Sequence, residues 1–148
     1  MSNKQLQLKI VTPERLILEE MVDGVTLPTT EGEITILPDH IPLIAGLASG
    51  DLVAIVNGEH VPMAVVGGFI EVKKEHDLTI VAVLADFAEP VADLTEDAIA
   101  KAIARAEELR IQAENKQVVD FEHFASELER NLTRVKIADK WRTRKYRK

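Results

Sequence analysis

The 148-residue chain contains no cysteine, so neither disulfides nor thiolate metal sites are open to it. Aromatic residues are scarce, at 4%, although an apolar fraction of 46% suits a packed core. No apolar run approaches the roughly 18 residues that a membrane-spanning helix needs. The opening stretch, Met1 to Lys9, has neither the apolar segment of a secretory signal nor the arginines of a transit peptide. The expectation is a soluble intracellular chain, with any membrane association made through a partner. The four histidines, His40, His60, His76 and His123, are scattered without metal-ligand spacing. No Ser/His/Asp grouping and no P-loop spacing occurs. Carboxylates fall in turns and on helix faces, where solvation accounts for them. Nothing points to catalysis, and no metal site is expected.

The length allows one ordinary domain or two small ones. Charge is unevenly spread. Of the 18 Lys/Arg and 25 Asp/Glu, eight and one fall between Arg134 and Lys148, leaving ten and 24 in residues 1–133. The last fifteen residues thus carry +7 on a remainder of −14. Such a tail is either a solvated, frayed end or an element that seeks an anionic surface, whether protein, nucleic acid or lipid.

Residues 5–88 read as β throughout. Leu6, Leu8 and Ile10 alternate with Gln5, Gln7 and Lys9, and Thr12-Pro13 ends that strand. Leu16 and Leu18 form a second short run, and Val22 to Leu27 a third, closed by Pro28. Asn57-Gly58, between Asp51–Val56 and His60–Val66, predicts a tight hairpin with positive φ at both turn positions. Gly67-Gly68 marks a bend or bulge before a strand from Phe69 to Val72. Leu78 to Leu84 is the last strand. Many short strands without helical interruption predict a sandwich or flattened barrel.

From Ala85 to Asp93 the pattern changes, and Pro90 falls in a short linker. Thr95 is a good N-cap, with Glu96 and Asp97 at the positive end of the helix dipole and Leu94 and Ile99 as a hydrophobic staple. Ile99, Ala102, Ile103, Ala106 and Ala113 form the expected apolar stripe of this helix. Glu114 to Gln117 reads as a turn, and Asp120 as a second cap with Val119 and Phe124 as its staple. Phe121, Phe124, Ala125, Leu128, Leu132 and Val135 follow at helical spacing. The fold class is therefore α+β by segregation: an N-terminal β-sandwich over residues 1–88, then an antiparallel two-helix hairpin over 89–148. A hairpin with one shared seam is marginal alone, so it must lie on a surface and can exchange one surface for another.

The chain is organised around Gly32 to Leu47. Ile34 and Ile36 alternate with Glu33 and Thr35 as in a half-buried strand. Pro38 stops that strand, Asp39 sits at the tip of a turn, and Pro42 stiffens its far side. By these features alone the stretch is an irregular corner of a small β-domain. The same residues also carry a resemblance. Glu31-Gly32-Glu33, Ile36-Leu37-Pro38 and His40-Ile41-Pro42-Leu43 are followed by Gly67-Gly68-Phe69-Ile70-Glu71-Val72 with Leu78-Thr79-Ile80-Val81-Ala82, and then by Ala88-Glu89 leading into an Ala-rich helix. In order, spacing and total length this resembles the epsilon subunit of F-type ATP synthases, over nearly the whole chain. Thr35 and Asp39 depart from it, standing where that family often has glycine.

The resemblance implies a non-catalytic rotor subunit of the central stalk, coupling ion flow to ATP synthesis. Its partners would be the gamma subunit, the c-subunit ring and the catalytic alpha/beta head. It would lie peripherally on the cytoplasmic side of an energy-transducing membrane, most simply a bacterial plasma membrane, attached through the complex. Glu33 matches the family position facing the c-ring loops, and His40 one near gamma. A histidine that merely satisfies a turn carbonyl is the plainer account of His40. The hairpin would either fold on the β-domain or extend into the head and block ATP hydrolysis. Arg130, Arg134, Lys136, Lys140, Arg142, Arg144 and Lys145 would then meet an acidic segment of the beta subunit. Some family members bind ATP in the folded hairpin. Here the Asp and Arg of that motif are Thr95 and Ala98, and only Glu89 and Arg105 match outlying contacts. The expectation is no cofactor, with ATP bound weakly or not at all. Two other classes compete. One is a free-standing ATP sensor, disfavoured by Thr95 and Ala98. The other is a nucleic-acid-binding module using the basic tail with Trp141 and Tyr146, disfavoured by the −14 of the remainder.

Overall fold

Alternation in the β-region produces eight strands in a computed structural model that describes residues 4–115 and 121–145, with side chains to position 142. The strands are β1 (Leu6–Val11), β2 (Leu16–Val22), β3 (Gly24–Thr29), β4 (Gly32–Ile36), β5 (Leu43–Gly46), β6 (Gly50–Val56), β7 (Glu59–Glu75) and β8 (Leu78–Pro90). They form one sheet in the order β2-β1-β8-β7-β6-β3-β4, with β5 added on β7. The early half of β7 pairs with β6 and its later half with β5, while β8 follows it from Met63↔Pro90 to Glu75↔Leu78. The β7–β8 ribbon therefore belongs to both layers of a sandwich and joins them. Leu6, Leu8 and Ile10 of β1, Val25 and Leu27 of β3, Ile36, Leu52, Ile70, Val81 and Val83 fill the space between. Asn57 and Gly58 take the positive φ values, 52° and 81°, that the two-residue hairpin requires.

Three strand limits differ from the sequence expectation. Gly67 and Gly68 do not end a strand. They bend a single one, with φ of 56° and 118°. Pro28 lies inside β3, opposite Glu33. It is tolerated because β6 pairs only Gly24–Thr26, so on that side the proline has no ladder to interrupt. β8 runs six residues past Leu84, since Ala85 and Ala88 are buried residues too small to register as an apolar period. The chain accordingly divides into Met1–Pro90 and Val91–Lys148, later than the expected boundary at residue 88.

The second unit comprises a 3-10 turn (Val91–Asp93), α1 (Glu96–Glu114) and α2 (Phe121–Lys145). Thr95 caps α1, its hydroxyl accepting from the Ala98 amide at 3.2 Å. The expected second cap at Asp120 and its partner Val119 lie outside the described residues. The expected apolar stripes are only partly buried. Ala102 and Leu109 of α1 and Asn131, Thr133, Ile137 and Ala138 of α2 are enclosed, whereas Ile103, Leu132 and Phe121 stand at least half exposed. Alanines spread around α1 make several of its faces equally apolar, so spacing alone could not choose between them.

Candidate partner-docking surfaces

The Gly32–Leu47 corner is held by local polar contacts. Gly32, at φ 119°, closes the turn in which the Thr29 hydroxyl donates to the Gly32 carbonyl. Glu33 follows, exposed on the edge strand β4. Beyond the other end of β4, the His40 amide donates to the Leu37 carbonyl at 3.1 Å, and His40 Nδ1 donates to the Ile41 carbonyl at 2.7 Å. The imidazole does satisfy a turn carbonyl. Glu33 and His40 are thus separated by most of a strand and do not form one site.

Between them, Asp39 adopts φ 71°, the left-handed region that a short polar side chain tolerates. Its amide donates to the hydroxyl of buried Thr79 at 2.8 Å. Lys4 and Lys74 each donate to its carboxylate at 2.8 Å, and these hydrogen bonds hold the carboxyl below the usual range. The corner is thereby tied to β7 and β8.

A face that the sequence reading missed begins beside this corner. Residues opposite one another in neighbouring strands share a sheet face. Register aligns Gly46, Phe69, Leu84, Val11 and Leu16 in one row across β5, β7, β8, β1 and β2. All are turned away from the core residues Ile10, Ile70 and Val83. Phe69 is 63%, Leu84 55% and Leu16 50% exposed. The next row on the same face is Ile44, Glu71, Ala82, Lys9 and Glu19. Ile41 and Ile44, both about three-quarters exposed, carry the apolar surface from the His40 turn to Phe69. A groove of about 500 Å³ lies beside the row, lined by Pro13, Gly68, Phe69, Leu84 and Asp86. The available signal was that β8 is apolar on both faces, which implies that its outer face is meant to be covered.

In the helical unit, Arg105 of α1 reaches α2. Its Nε and Nη2 donate to the two carboxylate oxygens of Glu127 at 2.5 and 3.0 Å. Its Nη1 lies 3.1 Å from Glu108. The guanidinium holds the Glu127 carboxyl below the usual range. Arg105 is therefore engaged by two carboxylates. Glu89, the other expected nucleotide contact, is not part of the hairpin but a β8 residue opposite Ala64. Along the outside of the hairpin runs an apolar groove of about 560 Å³, lined by Ile103, Ala106, Ala113, Phe124, Leu128 and Leu132, with Arg110 and Lys136 among its polar residues. Of the expected basic contacts, Lys136, Lys140 and Arg142 are exposed, whereas Arg130 and Arg134 are half-buried. Arg134 donates to the Asn131 side-chain oxygen at 3.3 Å. The Arg144 and Lys145 side chains lie outside the described residues.

Among the described residues no three His, Asp or Glu side chains are grouped to hold a metal ion, and no helix is long and apolar enough to cross a membrane. The family model described as "ATP synthase, Delta/Epsilon chain, beta-sandwich domain" matches residues 5–91. The chain is also 41% identical over 134 residues to the ATP synthase epsilon chain of Nitratidesulfovibrio vulgaris strain DP4, covering 90% of this chain and 96% of that one. This chain belongs to the ATP synthase delta/epsilon family. A second epsilon chain, from Herpetosiphon aurantiacus, is 43% identical over 109 residues, 74% of this chain and 72% of that one. The likeness to the Nitratidesulfovibrio chain is long enough to take in both the sandwich and the helices. Two solved structures share the fold. One is a chain of the Euglena gracilis mitochondrial ATP synthase, OSCP/F1/c-ring, with TM-score 0.61 and 24% identity over 96% of this chain and 82% of that one. The other is a chain of the Tetrahymena thermophila mitochondrial ATP synthase central stalk/c-ring, with TM-score 0.54 and 14% identity over 95% and 98%. At these identities they speak for the delta/epsilon fold alone.

Proposed function

We propose that the chain is the epsilon subunit of a rotary F-type ATP synthase, a non-catalytic part of the central stalk that couples ion flow to ATP synthesis and restrains ATP hydrolysis through its helices. The observation that carries this is 41% identity to an epsilon chain across nearly the full length of both proteins. The face formed by Ile41, Ile44, Phe69 and Leu84 docks on the gamma subunit, beside His40. Glu33, on the edge strand, faces the c-ring loops. The complex, rather than this chain, holds the assembly on the membrane, with this subunit on its cytoplasmic side. No nucleotide is required: the hairpin's Arg105 is committed to Glu127 and Glu108, Thr95 serves as a helix cap, and Ala98 offers no charge.

Reconstitution of an epsilon-depleted synthase in vesicles tests the assignment. Adding the chain should restore ATP-driven ion pumping, and no restoration would remove the rotor role. In the same assay Glu33→Ala should bind with unchanged stability, within about 0.5 kcal/mol as for an exposed residue. It should pump fewer ions per ATP hydrolysed. An unaltered ratio would return Glu33 to an ordinary strand residue.

The basic end supplies a second test. Deleting residues 139–148 removes six positive charges. However, α2 continues to Lys145 and half-buried Trp141 lies within it, so the deletion also shortens the helix. Changing Lys140, Arg142, Arg144 and Lys145 to glutamine keeps the helix. Single exposed pairs contribute about 0–1 kcal/mol, so the four together move a two-state hairpin several-fold. ATP hydrolysis by the complex should rise several-fold and synthesis should change less. Inhibition by the native chain should weaken with added salt. Equal hydrolysis at low salt would make the hairpin a structural brace.

A further inference from the structure

We propose that the Arg105–Glu127 ion pair is the latch that keeps α1 and α2 closed on each other, so that breaking it opens the hairpin without unfolding either helix. The apolar hold within this unit is slight. Its enclosed apolar residues are Leu94, Ala102, Leu109, Ile137 and Ala138, two of them alanines, and the larger Ile103, Phe121 and Leu132 are exposed. Among the described residues, the other ion pairs of α1, Arg110 with Glu107 and with Glu114, stay on one helix and stiffen it without joining it to α2. The Arg105 pair crosses between them. It is bidentate, which fixes direction and register as a single contact does not. Arg105 is near the middle of α1, so a slip by one turn would part the two groups.

The chemistry suits a reversible hold. Glu127 retains 28% and Arg105 37% side-chain exposure, so both groups regain water when they separate. A buried pair would be left as uncompensated charge and would resist opening. Glu108 on α1 gives Arg105 a second carboxylate at 3.1 Å, and His123 on α2 lies 3.8 Å from Glu127, so each partner keeps a neighbour on its own helix. A half-exposed pair contributes modestly, which is enough to tip a two-state element and too little to lock it.

The consequence for inhibition rests on the proposed function: an opened hairpin is the form able to extend into the catalytic head. Latch and consequence are measured separately. The chain lacks cysteine, so Ala100→Cys on α1 and Asp139→Cys on α2 take spin labels at unique places. Pulsed electron resonance on the full chain then reports the closed and open distances. Arg105→Gln and Glu127→Gln should each raise the open fraction roughly two- to fivefold, with helical content unchanged by circular dichroism. The exchanged pair, Arg105→Glu with Glu127→Arg, should return it towards the native value. Single variants with unchanged distances, or an exchanged pair as open as the singles, overturn the latch. A shift in distance with unaltered ATP hydrolysis in the reconstituted complex confirms the latch and removes the inhibitory role of the open hairpin.

Discussion

Gly68→Ala is expected to destabilise the β-sandwich severely, lowering its melting temperature by many degrees. A Cβ at this position would lie 1.9 Å from the Leu84 carbonyl oxygen and 2.9 Å from its carbon. Both are backbone atoms of β8, paired with β7 on either side of the bend, so relief requires opening the ribbon that joins the two layers. The φ of 118° adds strain of about 1–3 kcal/mol for any residue with a side chain. The clash adds more, and a total loss of about 4 kcal/mol or greater is a large share of a domain's ~5–15 kcal/mol. Gly32→Ala is the control. Its φ is nearly the same, 119°, but nothing lies within 4 Å of the added Cβ, so it suffers strain without collision. Thermal melts of the two full-length variants should separate by many degrees. Melting points within a few degrees of each other would show that the Gly68 bend does not hold the layers together.

The two glycines also show how far the sequence could be read. Gly67-Gly68 announced a bend, and the alternation of Leu6, Leu8 and Ile10 announced which side of β1 is buried, because a period of two maps directly onto a sheet face. The cap at Thr95 was legible because it depends on one hydroxyl and an amide three residues on. The end of β8 was not, since Ala85 and Ala88 are buried by the layers around them rather than by strong hydrophobicity of their own. The docking face was hidden for a different reason. Phe69 and Leu84 look like core residues in any linear reading, and only register places them side by side on the outside. Arg105 and Glu127 are 22 residues apart on different helices, so no local spacing connects them.

That outer face carries the other large expected effect. Phe69→Glu combined with Leu84→Glu should fold normally, because both side chains are more than half exposed and touch no core residue across the strand pairing. Stability should stay within about 1 kcal/mol, twice the usual range for a surface position. Docking on the gamma-containing complex should weaken at least about a hundredfold. Covering a phenylalanine and a leucine contributes about 1.5–3 kcal/mol each, and the variant would instead press two carboxylates into an apolar contact. His60→Glu on the early half of β7 is the control: it is exposed and pairs with Ile55 of β6, away from the row. It should bind as the native chain does. Surface plasmon resonance at two ionic strengths separates this face from the basic end of α2. Apolar docking should hold as salt rises, while a contact made by Lys136, Lys140 and Arg142 should fade. If the double variant binds like the native chain, the Phe69–Leu84 row is not the gamma contact. If native binding itself fades with salt, charge rather than apolar cover attaches the sandwich to the stalk.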